Sequence, residues 1–447
     1  MESVVAALPA GGAAVAAAVG GLVAAAALAG KAGLAGPKKH LNAPPAVPGL
    51  PMIGNLHQLK EKKPHQTFTK WAEIYGPIYT IRTGASSVVV LNSAQVAKEA
   101  MVAKFSSIST RKLSKALSVL THDKTMVATS DYGDFHKMVK RYIMTSMLGT
   151  SGQALGEDVS SVYVEEYGKV ISKEEIYQAT VADMMMCAIE VDWRDFFPYL
   201  SWIPNRSFET RVLTTDARRT TVMQALINQQ KQRIARGETR ISYLDFLLAE
   251  NALTDEQLLM LVWEAVIEAA DTTLVTTEWA MYEIAKHPEK QTVTEDHLPE
   301  LPYLNAVFHE TLRRHSPVPL VPPRFVHENT NLAGYEVPAG TEMIINLYGC
   351  NMNKSDWAEP EEWKPERFLD GRFEAADMYK TMAFGAGRRA CAGSMQAMNI
   401  SCTAIARFVQ EFSWRLKEGD EDKADTIQLT TNRLYPLHVY LTPRGRK

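Results

Sequence analysis

The chain has 447 residues, of which 46% are hydrophobic and 22% charged, and its formal net charge is −3. These proportions are ordinary for a protein with a large buried core, and they exclude a disordered or collagen-like chain. The charge balance shows no basic footprint for nucleic acid, so we expect no nucleic-acid partner. The four cysteines form no C-x-x-C pair and are too scattered for a disulfide framework, which favours a reducing compartment.

The N-terminal segment carries no charged residue between positions 3 and 30 and consists mostly of Ala, Gly and Val. A run of this length can form a spanning helix, so we predict a single-pass membrane anchor over residues 1–36. The lysines that follow, Lys31, Lys38 and Lys39, place the rest of the chain on the cytosolic side. A cleaved signal peptide is the alternative interpretation.

The rest of the chain divides into a proline-rich segment, residues 37–54, and a body, residues 55–447. The prolines, which cluster after residue 42, predict a stiff and extended hinge. Helical apolar spacing dominates the body up to about residue 316, whereas β-branched runs predict short strands. The predicted elements outside the central helical region are a helix at 65–75, a hairpin at 78–91, a helix at 93–102 and strands at 342–347 and 437–441. The sequence therefore predicts a mainly α body with small β-sheets.

One helix is predicted to be much longer than the others. Thr254 and Gln257 form a capping box at its start, and Pro288 stops the apolar spacing that follows. At 1.5 Å per residue, the stretch from Asp255 to His287 would be about 50 Å long. Such a helix would cross the whole body.

A glycine-rich loop around Cys391 precedes a second apolar helical stretch, residues 395–412. Glycines allow a backbone to approach a flat ligand closely, and a helix N-terminus favours a thiolate. Arg388 and Arg389 could bind carboxylates bidentately. A thiolate, small residues and cations together point to ligation of a heme iron. The alternative is a buried free cysteine beside a turn.

Four motifs in order resemble those of the cytochrome P-450 family. Phe384, Gly387, Arg389, Cys391 and Gly393 match its FxxGxRxCxG heme signature. The other three motifs are Glu310–Arg313 (ExxR), Pro365–Phe368 (PERF) and Ala269–Thr273 in the long helix. The resemblance implies the cytochrome P-450 fold, a heme b cofactor with Cys391 as axial iron ligand, and a monooxygenase activity that uses molecular oxygen.

The ExxR and PERF motifs imply a structural network. Glu310 and Arg313 lie one helical turn apart, so they face the same way. In the family a second arginine, here Arg367, completes a buried Glu–Arg–Arg network that supports the cysteine loop. The alternative for the ExxR segment alone is an exposed ion pair of little energetic value.

Asp271 and Thr272 are the predicted catalytic pair of the long helix. The resemblance implies that the threonine hydroxyl holds the bound dioxygen and its proton source, while the aspartate relays protons from solvent. The alternative is an ordinary helix surface. The chain departs from the family just before this pair, because Glu268 and Ala269 stand where the family has Ala or Gly and then Gly.

Arg324 resembles a family residue that binds a heme propionate. The helix that normally carries a Trp-x-x-x-Arg contact corresponds to residues 135–141, where Trp and Arg are absent from the matching places. Lys137, Lys140 or Arg141 could compensate for them. The same basic helix could instead dock an acidic reductase or form a solvated face.

The proline-rich segment and the anchor are typical of the microsomal branch, which implies electrons from a membrane-bound NADPH–cytochrome P-450 reductase. Residues 190–198 and 312–324 resemble the plant ent-kaurene oxidases. These enzymes oxidise one methyl group of a tetracyclic diterpene to an alcohol, an aldehyde and an acid on the gibberellin route. We therefore expect a membrane location, in the endoplasmic reticulum or plastid outer envelope. Diterpene oxidases of defence metabolism share the motifs and remain an alternative.

A hydrocarbon substrate must be oriented by apolar contacts. The predicted lining residues lie on the long helix and after the ExxR motif: Val266, Ala270, Thr273, Val318, Leu320 and Val321. The segments 106–128 and 431–434 are expected to add to this lining.

The chain is shorter than family members usually are. Residues 149–156 and 288–300 leave little room for helices that normally lie there. This predicts an alternatively spliced or otherwise shortened product, which could fold poorly or bind heme without turnover. A c-type electron-transfer heme protein is a further alternative, and the lack of a C-x-x-C-H motif argues against it.

Overall fold

The computed structural model describes residues 42–59, 63–148, 154–155, 159–238, 242–288, 302–369, 381–427 and 430–445. The predicted anchor, residues 1–36, lies outside these ranges, as do most residues of the two stretches that are predicted to be shortened. Within the described ranges, no helix is both long enough and apolar enough to cross a membrane.

Helices dominate the described part of the chain, as predicted. The α-helices are α1 (Pro64–Tyr75), α2 (Ala94–Lys98), α3 (Lys115–Leu120), α4 (Asp134–Tyr142), α5 (Lys173–Tyr177), α6 (Asp183–Ala188), α7 (Trp193–Phe196), α8 (Arg206–Ala235), α9 (Tyr243–Glu250), α10 (Asp255–Lys286), α11 (Pro302–Arg314), α12 (Leu347–Asn351) and α13 (Ser394–Glu411).

The strands are short and form small sheets. They are β1 (Ile78–Thr83), β2 (Ser86–Leu91), β3 (Thr110–Arg111), β4 (Ser161–Val164), β5 (Lys169–Ser172), β6 (Arg324–Phe325), β7 (Thr330–Leu332), β8 (Tyr335–Val337), β9 (Glu342–Ile345), β10 (Phe412–Leu416), β11 (Thr426–Ile427), β12 (Asn432–Arg433) and β13 (Val439–Pro443). The largest sheet has the order β1-β2-β9-β6-β3, and β10-β13, β11-β12, β4-β5 and β7-β8 form two-stranded sheets.

The predicted N-terminal elements are confirmed, because local sequence signals determine them. Gly76 ends α1 with a φ of 89°, a conformation that favours glycine. Strands β1 and β2 form an antiparallel hairpin in which Ile78 pairs with Leu91. Ser93 caps α2 by accepting a hydrogen bond from the Val96 amide.

The proline-rich segment is attached to the sheet from Pro44 onward. The amide of Val47 donates to the carbonyl of Thr80 at 2.9 Å, and the amide of Thr80 donates to the carbonyl of Pro45 at 2.7 Å. Residues 44–54 of the predicted hinge are therefore fixed against β1.

A hairpin interrupts the region in which helical spacing was expected to dominate. Strands β4 and β5 pair so that Val162 lies opposite Ile171, and both side chains are buried. Alternating burial along β4 (Val162 and Val164 inside, Tyr163 outside) is the period-two pattern of a strand, and Gly168 makes the turn in a left-handed conformation. An alternation over only four residues is too short to stand out against the helical spacing on both sides.

Helix α10 organises the body. The predicted capping box is present, since the Thr254 hydroxyl accepts from the Gln257 amide at 3.1 Å and the Gln257 side chain accepts from the Thr254 amide. Its N-terminal half belongs to the largest apolar core, which also includes α3, α4, α6, α8 and α9. Between two buried stretches, residues 268–270 are accessible. This accessible stretch lies directly before the predicted residues Asp271 and Thr272.

Candidate active site

The loop before α13 presents Cys391 in a fixed conformation. The Cys391 amide donates to the carbonyl of Phe384 at 2.9 Å, which closes the loop. Gly387 has a φ of +70°, and a Cβ there would lie 2.6 Å from the Met101 carbonyl oxygen. Only glycine fits this position without moving the backbone. The Gly393 amide, at the N-terminus of α13, donates to the Cys391 sulfur.

The Cys391 thiol faces the interior of the protein. Its side chain is exposed, yet burial, and after it the Glu268 carboxyl on α10, raise its pKa to about 11. A side chain that is both accessible and surrounded by protein lines a cavity. The thiol therefore keeps its proton unless a bound cation replaces it, as a metal ion does.

A group of cations lies beside this cavity. It comprises Arg111, Lys140, Arg324 and Arg389, and the imidazole of His136, which is neutral near pH 7, lies among them. Burial lowers the pKa of each, and repulsion between the members lowers it further for several of them. The pKa of Arg324 falls to about 10 and that of His136 to about 4. Such mutual repulsion is relieved when an anion binds.

Several of these cations have donors directed at no protein acceptor. Among the described residues, Nε of Arg324, Nε and Nη1 of Arg389 and Nε2 of His136 are buried without a hydrogen-bond partner. Buried polar atoms normally have partners, so these atoms require acceptors that the chain does not supply. The two carboxylates of a heme would supply them, and its iron would take the Cys391 thiolate. The donor set therefore fits heme b.

Glu310 and Arg313 form a buried network with Arg367. Arg313 donates to both Glu310 oxygens, from Nε at 2.7 Å and Nη2 at 2.8 Å, and Arg367 Nε donates to Glu310 Oε1 at 3.2 Å. Arg313 also donates to the carbonyls of Asn351 and Pro360 at 3.0 and 2.9 Å. The network ties α11 to the segment after α12.

The same helix contacts the cysteine loop directly. Phe308, two residues before Glu310 on α11, stacks against Phe384 of the loop with ring centroids 6.4 Å apart. The buried network is thus connected to the cysteine loop through one pair of rings.

Asp271 points toward the segment that leads into β12. It is buried and accepts hydrogen bonds from the Thr430 hydroxyl and the Asn432 side-chain amide. Thr272 is half-buried, and its hydroxyl donates to the Glu268 carbonyl at 2.9 Å. The two predicted catalytic residues are adjacent in sequence, but their side chains have different hydrogen-bond partners.

Glu268 belongs to a carboxyl pair that sequence reasoning recognised only in part. Glu264, one turn earlier on α10, is fully buried and accepts from the amides of Val127 and Ala128, both at 2.8 Å. Glu264 and Glu268 are hydrogen-bonded to each other, and burial raises the pKa of both carboxyls. The two carboxyls therefore titrate as a coupled pair. The i,i+4 spacing of two glutamates in an apolar helix was the signal that could have revealed Glu264.

The family model for cytochrome P-450 matches residues 44–173 and 159–436. The chain belongs to the cytochrome P-450 family. Its members are oxidoreductases that use molecular oxygen and hold a heme iron through a thiolate. A zebrafish cytochrome P-450 solved with abiraterone has the same fold, with a TM-score of 0.63 at 20% identity, over 86% of this chain and 100% of that one.

Two enzymes from rice are similar to this chain over at least 90% of its length. Ent-kaurene oxidase 2 of Oryza sativa subsp. japonica is 71% identical over 98% of this chain and 99% of its own length. Ent-sandaracopimaradiene 3-hydroxylase from the same organism is 61% identical over 90% of this chain and 92% of its own length.

The comparison also shows that this P-450 is shortened. The alignment with ent-kaurene oxidase 2 spans 500 positions, whereas the chain has 447 residues, so the relative has residues that this chain lacks. The family model matches in two segments that overlap at residues 159–173, next to the predicted shortened stretch at 149–156.

The structure separates the basic residues of α4 by helix face. Lys140 donates to the carbonyls of Arg388 and Ala390 at 2.8 and 3.1 Å, so it lies against the cysteine loop of the P-450. Lys137 is exposed and pairs with Asp134, and Arg141 is exposed as well. Neither is brought to the cation group, because helical periodicity directs His136 and Lys140 inward instead.

The six predicted substrate residues have different surroundings. Ala270 is accessible beside Glu268, and Thr273 and Val318 are half-buried. Val266 packs against the largest apolar core. Leu320 and Val321 pack in the apolar clusters of the β1-β2-β9 sheet. Of the six, Ala270 is exposed, as Glu268 is, and it lies two residues after Glu268 on α10.

Proposed function

We propose that this P-450 is an ent-kaurene oxidase, which converts ent-kaurene through the alcohol and the aldehyde to ent-kaurenoic acid in gibberellin biosynthesis. The observation that carries the proposal is the group of buried, unpartnered donors on Arg324, Arg389 and His136 beside the Cys391 thiol. It supports heme binding by the shortened chain, and the 71% identity to a rice ent-kaurene oxidase supports the substrate.

When bound, the heme activates dioxygen for insertion into a carbon–hydrogen bond. The protein's own residues do the rest. Cys391 binds the iron as a thiolate, and the Gly393 amide stabilises the sulfur's negative charge. Arg324 and Arg389 would hold the carboxylates of the heme, with the neutral imidazole of His136 beside them. Lys140 fixes the cysteine loop through two of its carbonyls.

The two predicted residues on α10 have different roles in this proposal: Thr272 handles protons, and Asp271 positions another segment of the chain. The Thr272 hydroxyl donates to a carbonyl of its own helix, so its oxygen can accept a hydrogen bond from a water in the cavity. Asp271 positions the segment before β12 through its bonds to Thr430 and Asn432. That segment carries the predicted substrate residues 431–434.

Electrons come from NADPH through a membrane-bound cytochrome P-450 reductase. The substrate is a hydrocarbon and dissolves in lipid, so we place the enzyme at a membrane, the endoplasmic reticulum or the plastid outer envelope, with its body in the cytosol. The uncharged segment between residues 3 and 30 supports this location.

Oxidation of a different diterpene is the second candidate function. It is favoured by the 61% identity to ent-sandaracopimaradiene 3-hydroxylase. The two activities differ in the carbon that is attacked, and the cavity contacts decide between them.

One assay separates these functions. The full chain is expressed with a plant reductase in yeast microsomes and supplied with ent-kaurene or ent-sandaracopimaradiene in parallel. We expect ent-kaurenoic acid from the first substrate, and a Cys391→Ala variant provides the inactive control. A hydroxylated product from the second substrate alone would favour the second function. Heme loading without any product would identify an inactive heme-binding form.

A further inference from the structure

Glu268 adds a carboxyl group to the cavity beside Cys391, although the substrate-lining residues predicted from the sequence are mostly apolar. It is accessible, and the next two residues on α10, Ala269 and Ala270, are accessible as well. The small alanine side chains leave space beside the carboxyl. Two ionisable groups on other segments, Arg111 and the Cys391 thiol, lie close enough to interact with it electrostatically.

Hydrogen bonds through Glu264 fix the position of the Glu268 carboxyl. Glu264 is hydrogen-bonded to Glu268 and is itself held by the amides of Val127 and Ala128 at 2.8 Å. These amides belong to the segment between α3 and α4, which is anchored in turn by Arg111 through the Ala128 carbonyl at 3.0 Å. A polar group that is fixed in this way loses little conformational freedom when it binds a ligand.

We propose that Glu268 binds the hydroxyl group that the first oxidation creates, and so retains the diterpene alcohol for the next two oxidations. This inference rests on the proposed function, since it needs a substrate that is oxidised in steps. Glu268 is then a specificity-determining residue, and Glu264 is the residue that positions it.

The chemistry of the successive ligands supports this role. Ent-kaurene has no polar atom, so it gains nothing from Glu268. The alcohol brings a hydroxyl into the cavity, and an unpaired hydroxyl in apolar surroundings favours release into water. A carboxyl group can accept a hydrogen bond from this hydroxyl whether or not it carries a proton. Glu268 therefore discriminates between the hydrocarbon and its first product.

The test compares binding of the two ligands to the heme-loaded full chain. Ent-kaurene and ent-kaurenol are titrated into wild type, Glu268→Ala and Glu268→Gln, and the shift of the heme absorbance gives the Kd. For Glu268→Ala we expect the Kd of ent-kaurenol to rise about tenfold, the effect of one lost hydrogen bond, while that of ent-kaurene changes less than about twofold. Glu268→Gln keeps a hydrogen-bonding group of the same size and is expected to lie in between. In turnover, Glu268→Ala should release more alcohol and less acid.

Glu256→Gln is the matched control, because Glu256 lies exposed in the first turn of the same helix. Unchanged binding of ent-kaurenol to Glu268→Ala, or equal weakening of both ligands, would overturn the inference while leaving the proposed function intact. If wild type itself binds neither ligand, the proposed function fails, and the inference fails with it.

Discussion

Arg313 and Glu310 are both fully buried and are joined by two hydrogen bonds, from Nε at 2.7 Å and from Nη2 at 2.8 Å. A third bond, from Arg367 Nε at 3.2 Å, gives Glu310 a second cationic partner. Because the pair also fixes the carbonyls of the segment after α12, it joins two parts of the chain that are far apart in sequence.

Removal of one member of this network should destabilise the protein strongly. Arg313→Ala leaves the Glu310 carboxylate buried with one partner fewer, at a cost of about 3–5 kcal/mol against a total stability of about 5–15 kcal/mol. We expect loss of most heme-loaded protein, measured by heme content and by urea denaturation. Arg407→Ala, at an exposed position of α13, is the control. Equal stability of the two variants would contradict a structural role for the network.

Substitutions at Gly387 and Gly385 separate the effect of an unfavourable backbone conformation from the effect of a steric clash. Both have positive φ, +70° and +67°, but a Cβ at Gly387 meets the Met101 carbonyl at 2.6 Å, whereas nothing lies within 4 Å at Gly385. Gly385→Ala should cost about 1 kcal/mol, and Gly387→Ala should cost more and displace the cysteine loop. Thermal unfolding and heme retention measure the difference. Retention of heme by Gly387→Ala at the level of Gly385→Ala would show that the close approach is unimportant.

Lys140 and Lys137 lie on one short helix but have different roles. Lys140→Ala removes two donors from the loop carbonyls at 388 and 390 and a cation beside Cys391. We expect heme to transfer from this variant to apomyoglobin roughly tenfold faster than from wild type. Lys137→Ala removes an exposed lysine and should leave the rate unchanged. Faster heme transfer from Lys137→Ala than from Lys140→Ala would show that the exposed face of α4, and not the Lys140 contact, holds the heme.

Acid should destabilise the protein in part through His65. Burial lowers the pKa of His65 to about 4, whereas the unfolded chain has a pKa near 6.5. Between these values the unfolded state binds more protons than the folded state, so the free energy of unfolding falls as the pH drops from about 6.5 to 4. The loss is about 1–3 kcal/mol. His65→Phe, which keeps a ring next to Tyr348, should flatten the pH dependence of urea denaturation; an unchanged slope would show that another group is responsible.

Local signals made much of the fold predictable. Gly76, Ser93 and the capping box at Thr254 determine where α1, α2 and α10 begin or end, and each depends on neighbours in sequence. The β4–β5 hairpin was not predicted, because a strand of four residues gives too short an alternation to outweigh helical spacing on both sides.

The site was predictable where a motif spans few residues and less so where it depends on packing. The spacing of Glu310 and Arg313 places them on one helix face. In contrast, the hydrogen bonds of Asp271 to Thr430 and Asn432 join residues about 160 positions apart. The contact of Glu264 with Val127 and Ala128 is long-range in the same way. Such contacts depend on how distant segments pack, which no local pattern encodes.

The role of the Cys391 sulfur is tested most directly by the absorbance spectrum of the reduced, carbon monoxide-bound protein. Wild type should show the red-shifted Soret band of thiolate-bound heme, and Cys391→Ala should lose it. Cys402→Ala, at a half-buried cysteine on α13, is the matched control and should keep the band. Absence of iron from the folded wild-type protein, or an unchanged band in Cys391→Ala, would contradict the assignment of Cys391 as the heme ligand.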